Sequence, residues 1–402
     1  MQDATPNPPR AILKPRKARP FYGRHPWVLD TAIDRIEPAA VDGDAVDLVS
    51  DKGKFVARGL YNSRSRIRIR LYTWQKTEPL DAAFWRRRLE AAVQLRKDLG
   101  YDDPQGAARL VFSEGDGLSG LVVDRYGVYL AVQVTALAIA MRLAEIVPIL
   151  VDLVHPRGVV IRTERGMTQA EGLELRDGPY WGEMPQGPVF IHEHGLRYGV
   201  DLAEGHKTGF YLDQRENRRA AAALMRGRRV LDMFCYTGGF GIAASALGDA
   251  CEVLGVDSSE KAVTMARANA DLNGRSNCRF QTGDCFEVME SLVAASQRFG
   301  AVILDPPKFA RSRSALNEAL RAYHWLNRLA VQLLEPGGVL VTCSCSGHVT
   351  REDFFDMLLG VAQQTGRDIQ ILDQRGAAPD HPIAVTCPEG EYLKCFVCRV
   401  GD

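Results

Sequence analysis

Through the first seventy residues apolar and polar positions alternate in short runs, broken by Asp-Gly and Lys-Gly pairs, as in VDGDAVDLVSDKGKFVARGLYN (41–62). Period-two alternation with such turn signals predicts short strands, and residues 1–71 are expected to form a small β-barrel. DAAFWRRRLEAAVQLRKDLG (81–100) has helical spacing and a terminal Gly. LVFSEGDGLSGLVVDRYGVYLAVQVTAL (110–137) reads as strands joined by Gly-rich turns, followed by a helix over MRLAEIVPILVDLV and a strand over GVVIRTE. Residues 72–190 are therefore expected to form a mixed α+β domain. From Leu196 onward apolar strands alternate with amphipathic helices, the pattern of a doubly wound parallel sheet, and 191–402 is expected to be a Rossmann-like α/β domain.

A chain of 402 residues exceeds one ordinary core, which agrees with two or three domains. With 46% hydrophobic and 25% charged residues the composition is that of a folded globular protein. No run of about 18 apolar residues occurs, and the N-terminus MQDATPNPPRAILKPRKARP has no apolar signal segment, so a cytoplasmic protein without a membrane partner is expected. Nine cysteines without framework spacing point to reduced thiols.

Zero formal net charge excludes a protein that is basic all over, yet residues 1–70 carry 14 Lys/Arg against 8 Asp/Glu. The excess lies in KPRKAR (14–19) and SRSRIRIR (63–70). On a continuous strand Arg64, Arg66, Arg68 and Arg70 would form one cationic stripe, with Ile67 and Ile69 turned to the core. Such a stripe could track nucleic-acid phosphates; a charged edge strand that resists aggregation accounts for it equally well.

RRVLDMFCYTGGFGIAASALG (228–248) reads as strand, tight glycine turn and helix, which lets backbone approach a ligand at the carboxyl end of a first strand. Phe234, Tyr236, Thr237, Gly238 and Gly239 form that turn. CEVLGVDSSEKAV ends a second strand at Asp257 and Ser258, spaced for an acid that accepts from ribose hydroxyls. QTGDCFEVM places Asp284 and Cys285 after a third strand, and FGAVILDPPKFA places Asp305 after a fourth. VTCSCSG (341–347) closes a later strand with two thiols, Cys343 and Cys345. Cys395-x-x-Cys398 would face both sides of a strand, and His192-x-His194 reads as a surface pair, so no metal is expected.

In this order the motifs resemble class I S-adenosylmethionine-dependent methyltransferases. Together with HKTGFYLDQRENR (206–218), RHPWV (24–28), EGDGLSGLVVDRYG (114–127) and PEGEYLKCFVCRV (388–400), the chain resembles the RlmI family of 23S rRNA cytosine-5 methyltransferases over nearly its whole length. The resemblance implies an N-terminal PUA domain, a middle α+β domain and a C-terminal Rossmann-like methyltransferase domain. It implies S-adenosylmethionine as cofactor and 23S rRNA as partner, before or during large-subunit assembly, and leaves homodimerisation open.

Residue by residue, the resemblance makes Cys345, the cysteine before Ser-Gly, the nucleophile and leaves Cys343 to packing. Asp305 would bond the N3 or 4-amino edge of the base, while Pro306, Pro307, Lys308 and Phe309 grip it. Phe234, Tyr236, Thr237, Gly238 and Gly239 would line the methionine side of the cofactor, with Asp257 and Ser258 at the ribose and Asp284 and Cys285 at the adenine. Lys207, Thr208, Asp213 and Arg215 would close the pocket. Arg64, Arg66 and Arg68 would hold RNA. A covalent cysteine is needed because C5 of cytosine is a poor nucleophile until a thiolate adds at C6. The other readings are a guanine N-methyltransferase acting on rRNA, which needs no such thiol, and a non-catalytic RNA-binding assembly factor. The base that takes the C5 proton is not identified by the sequence.

Overall fold

The computed structural model describes residues 8–163, 165–202, 209–310 and 312–402. Its contacts divide into two compact units. The first runs to Val189 and takes in Val200–Phe210 and Pro379–Gly390; the second comprises Phe190–Gly199, Tyr211–Ala378 and Glu391–Asp402. Among the described residues no helix is long and apolar enough to cross a membrane.

In the first unit, the strands Trp27–Leu29, Ile67–Thr73, Phe55–Tyr61, Ala45–Val49, Arg10–Leu13 and Ile33–Glu37 lie side by side in that order. Their inward positions, among them Val46, Leu48, Ile69 and Leu71, build a core of their own. A five-stranded sheet follows, in the order Gly178–Gly182, Gly158–Arg162, Tyr129–Val134, Leu121–Tyr126, Ala107–Phe112. The helix Ala82–Asp98 starts where the Asp81 carboxylate accepts the Phe84 N–H, and it buries Phe84, Trp85 and Leu89 in the core of this sheet.

The expected cationic stripe is not what these residues form. The strand begins only at Ile67, so Arg64 and Arg66 lie ahead of it and are exposed. The Arg68 guanidinium turns back onto the carbonyls of Asn62 and Ser63. Arg70 is 5% exposed and pairs with Glu171 at 2.9 Å. A guanidinium taken from water needs a fixed anion, and Glu171 with the Ser119 hydroxyl supplies the partners. Arg70 therefore belongs to the interior.

The second unit is built on a seven-stranded sheet in the spatial order Cys278–Thr282, Glu252–Asp257, Arg229–Met233, Phe299–Leu304, Leu334–Ser344, Lys394–Val400, Ile369–Arg375. Neighbours from Cys278–Thr282 to Leu334–Ser344 are parallel, and Lys394–Val400 runs antiparallel to both its neighbours. Numbered along the chain, the order is 3-2-1-4-5-7-6. The direction of winding reverses between the first and fourth strands, and open α/β sheets bind ligands beyond the carboxyl ends at such a switch point. Register brings those ends level: Met233 lies beside Val256 and Leu304, and Leu304 beside Thr342.

Candidate functional site

The loop after the first strand is shaped for close approach. Phe234 and Tyr236 hold positive φ, 61° and 48°. Such a backbone costs bulky residues of order 1–3 kcal/mol and persists where surroundings enforce it. Gly238, at φ 83°, is needed sterically, because a Cβ there would come within 3.0 to 3.2 Å of Phe280, Ile242 and Ala266. The helix Gly239–Ala246 then begins with its N-terminus toward the crevice.

Asp257 ends the second strand, and its two carboxylate oxygens accept the N–H groups of Tyr236 and Ser259, each at 2.9 Å. It thus ties the glycine loop to the second strand while remaining half-exposed, with Ser258 beside it in solvent. Asp284 is exposed and caps the helix Cys285–Ala294, one oxygen accepting from Phe286 and Glu287. Cys285 turns inward; at 3% exposure its thiol faces the core and burial pushes it up to about 12. Of Asp284 and Cys285, only the first presents its side chain outward.

Asp232, not singled out from the sequence, lies at the floor of this region. It is 1% exposed. One oxygen accepts the Gly241 N–H at 2.8 Å, while the other has no partner. Burial pushes its carboxyl up to about 8. Thr237, 7% exposed, likewise has an unpartnered hydroxyl. Buried polar atoms are almost always satisfied, so two orphans beneath one loop mark a place where a polar ligand fits. The sequence signal was a carboxylate inside the apolar strand RVLDM.

A second group of residues expected at the site lies beyond the fourth and fifth strands. Asp305 is half-buried and accepts from Gln214 Nε2 at 2.9 Å. Gln214 is oriented in turn: Asn217 donates to its carbonyl at 2.7 Å, and Arg375 donates to Asn217 at 3.0 Å. Asp305 is thereby fixed by a chain of three side chains, from the turn Leu212–Gln214, the helix Arg215–Ala222 and the strand Ile369–Arg375. Pro306 is buried, Pro307 and Lys308 are exposed, and Phe309 packs at 4.8 Å from the Tyr323 ring.

The fifth strand ends at Ser344, so the two thiols part company. Cys343 is fully buried opposite Cys395, and burial pushes it well above the usual thiol range. Cys345 lies past the strand end, half-buried, with Sγ 3.9 Å from the Pro306 carbonyl. Ser346 pins the turn, its hydroxyl 3.2 Å from both the Ala310 N–H and the Tyr323 hydroxyl.

Asp213 accepts the Tyr392 hydroxyl at 2.5 Å. Arg215 points to Glu193 at 3.6 Å, where Arg218 makes the closer, bidentate pair at 2.7 and 2.6 Å. Lys207 and Thr208 lie outside the described residues. Cys395 and Cys398 face opposite sides of the sheet, in different cores. Elsewhere, His25, Cys387 and Glu389 converge. There the Trp27 N–H lies 3.3 Å from His25 Nδ1, and His25 Nε2 lies 3.2 Å from a Glu389 carboxylate oxygen.

The S-adenosylmethionine-dependent methyltransferase family matches residues 180–385, and the PUA-like domain family matches residues 11–74. The ribosomal RNA large subunit methyltransferase I of Salmonella arizonae is 40% identical over 397 residues, covering 98% of each chain. That of Escherichia coli O127:H6 is 39% identical over 393 residues, covering 97% of this chain and 99% of its own. Among solved structures, a protein described as a SAM-dependent methyltransferase from Streptococcus mutans superposes with a TM-score of 0.83 at 20% identity, covering 97% of this chain and 99% of that one. Another, complexed with SAH, reaches a TM-score of 0.84 at the same identity and coverage. At that identity the superpositions speak for the fold. The whole-length relatives speak for more: the chain belongs to the S-adenosylmethionine-dependent methyltransferases, in the family of the ribosomal RNA large subunit methyltransferase I proteins.

Proposed function

We propose that this protein methylates C5 of a cytidine in 23S rRNA by way of a covalent bond between Cys345 and C6 of the base. The observation that carries the reading is Cys345 itself: half-buried, past the end of the fifth strand, and in contact with the Asp305–Pro306 loop at the switch-point crevice. A reaction at a nitrogen lone pair has no use for a thiol at that place.

The residues present fit the cofactor. Asp232 offers an unpaired buried carboxylate oxygen, Thr237 an unpaired hydroxyl, and Gly238 a surface without a side chain. They suit its amino-acid end, with Phe234, Tyr236 and Gly239 around them. Asp257 and Ser258 suit the ribose hydroxyls, and Asp284 the adenine amino group. The bound cofactor supplies an electrophilic methyl group on sulfur.

The chain's own work is to make C5 reactive. The Cys345 thiolate adds to C6, which places enamine character on C5; after methylation the C5 proton leaves to a base and the sulfur is expelled. Asp305, steadied by Gln214, bonds the polar edge of the base and favours ring protonation as sulfur adds. Pro306, Pro307, Lys308 and Phe309 border the base, which must leave its stack to reach the thiol. The exposed Arg64 and Arg66 contact phosphates, while Arg68 is held on the carbonyls of Asn62 and Ser63. In this reading 1–71 serves as the RNA-binding domain, 72–190 as the middle domain and 191–402 as the methyltransferase domain. Mapping methylated nucleotides in large-subunit rRNA from cells with and without the protein tests it. Loss of one 5-methylcytidine is expected, whereas loss of an N-methylguanosine would replace this reading.

A further inference from the structure

The strand Lys394–Val400 begins with a lysine where a lysine costs stability. Lys394 is 1% exposed and donates from Nζ to two backbone carbonyls, Ser346 at 2.7 Å and Tyr392 at 2.8 Å. Among the described residues no carboxylate pairs with it. Buried ammonium groups are ordinarily paired, because moving one out of water is expensive. Burial brings this amine down to about 8, and the largest opposing influence is Cys345.

The carbonyl that Lys394 holds belongs to the residue directly after the thiol. Ser346 is thus fixed from two sides, at its carbonyl by Lys394 and at its hydroxyl by Ala310 and Tyr323. The other charges around the lysine are engaged: Arg351 pairs with Glu391 at 2.6 Å, and Asp353 accepts from Thr350 at the start of the helix Arg351–Thr365. Tyr211, ahead of the turn Leu212–Gln214, and Tyr323, on the helix Leu316–Leu333, lie near both Cys345 and Asp305. None of these supplies a positive charge.

We propose that Lys394 is a positioning residue for Cys345, holding the thiol-bearing turn through the Ser346 carbonyl and supplying the positive charge that favours thiolate over thiol. The inference rests on Cys345 being the nucleophile. The thiol proton passes to solvent, and the ammonium stays as counter-charge to the sulfur. A nearby cation is a known means of making a cysteine nucleophilic.

The test is alkylation of Cys345 by iodoacetamide across pH 6 to 10, read by peptide mass spectrometry on the full chain without RNA. Lys394→Gln keeps two N–H donors for the carbonyls and removes the charge. Its Cys345 profile is expected to move to higher pH, with about tenfold slower alkylation at pH 7 for each unit moved. In the wild type, the inflection is expected below that of the same cysteine in the urea-unfolded chain, a measurement that stands even if the variant does not fold. An unchanged profile in Lys394→Gln, or a wild-type inflection at or above the unfolded value, overturns the proposal. Because the readout involves no methyl transfer, its failure is distinct from a failure of the cytosine-5 reading, which is read by covalent capture of RNA.

Discussion

Asp232 gives a prediction whose size follows from its burial. With the carboxyl pushed up to about 8, roughly nine in ten unliganded molecules carry it protonated at pH 7. If its free oxygen receives the cationic amino group of the cofactor, the ionised form is the one that binds. Affinity should then rise close to tenfold per pH unit from pH 6 toward 8 and level off above, a span of roughly 50-fold between pH 6 and 8. Asp232→Asn keeps an acceptor for the Gly241 N–H but carries no charge. At pH 8 it should bind about 10- to 100-fold more weakly, the worth of a hydrogen bond to a charged group, and the pH slope should vanish. The stability effect has the opposite sign. A raised carboxyl stabilises the fold fully only below its unfolded value near 4, and that contribution drains away as pH rises to about 8. The unliganded variant should therefore melt no lower than wild type at pH 8. Isothermal titration calorimetry with S-adenosylmethionine from pH 6 to 8.5, beside thermal melts, checks both. A flat wild-type affinity, or a variant that binds as well as wild type, would refute the argument.

Other outcomes follow from the same contacts. Asp257→Ala removes the acceptor that ties Tyr236 and Ser259 together and that the proposed site turns to the ribose, so cofactor binding should weaken by roughly 1–3 kcal/mol in calorimetry; unchanged affinity would take Asp257 out of the site. Replacing Arg64 and Arg66 by Ala should shallow the slope of log K against log salt for RNA by about 2 units or slightly less. Arg70→Ala, which strands the buried Glu171, should instead lower stability by about 3–5 kcal/mol in urea unfolding.

The parts of the site legible in the sequence are those that punctuation reveals. A glycine turn after an apolar strand, and acids at or just past the ends of the next strands, mark Gly238, Asp257, Asp284 and Asp305 as candidates, and the fold places each at the carboxyl end of the parallel strands. What stayed hidden depends on where strands begin and end. Alternation through SRSRIRIR suggested four arginines on one face, but pairing starts at Ile67, and a buried acid from a helix a hundred residues on claims Arg70. Two thiols spaced for one strand face separate because the strand stops between them, leaving Cys343 in the core. Asp232, Gln214 and Lys394 were invisible for another reason: each matters through a partner on another element or loop, Gly241, Asp305 and Ser346, which only the fold brings to it.

The central claim, a covalent route through Cys345, is tested most directly with an rRNA fragment carrying 5-fluorocytidine at the methylated position. Fluorine cannot leave C5 as a proton does, so the adduct formed after methylation cannot resolve. Denaturing gels should show an RNA-linked protein band for wild type and for Cys343→Ala, and none for Cys345→Ala, although that variant still binds S-adenosylmethionine and RNA. Adduct lost with Cys343 and kept without Cys345 would put the nucleophile on the other thiol. Full methylation of unmodified RNA by both single variants, with no band from any, would contradict covalent catalysis.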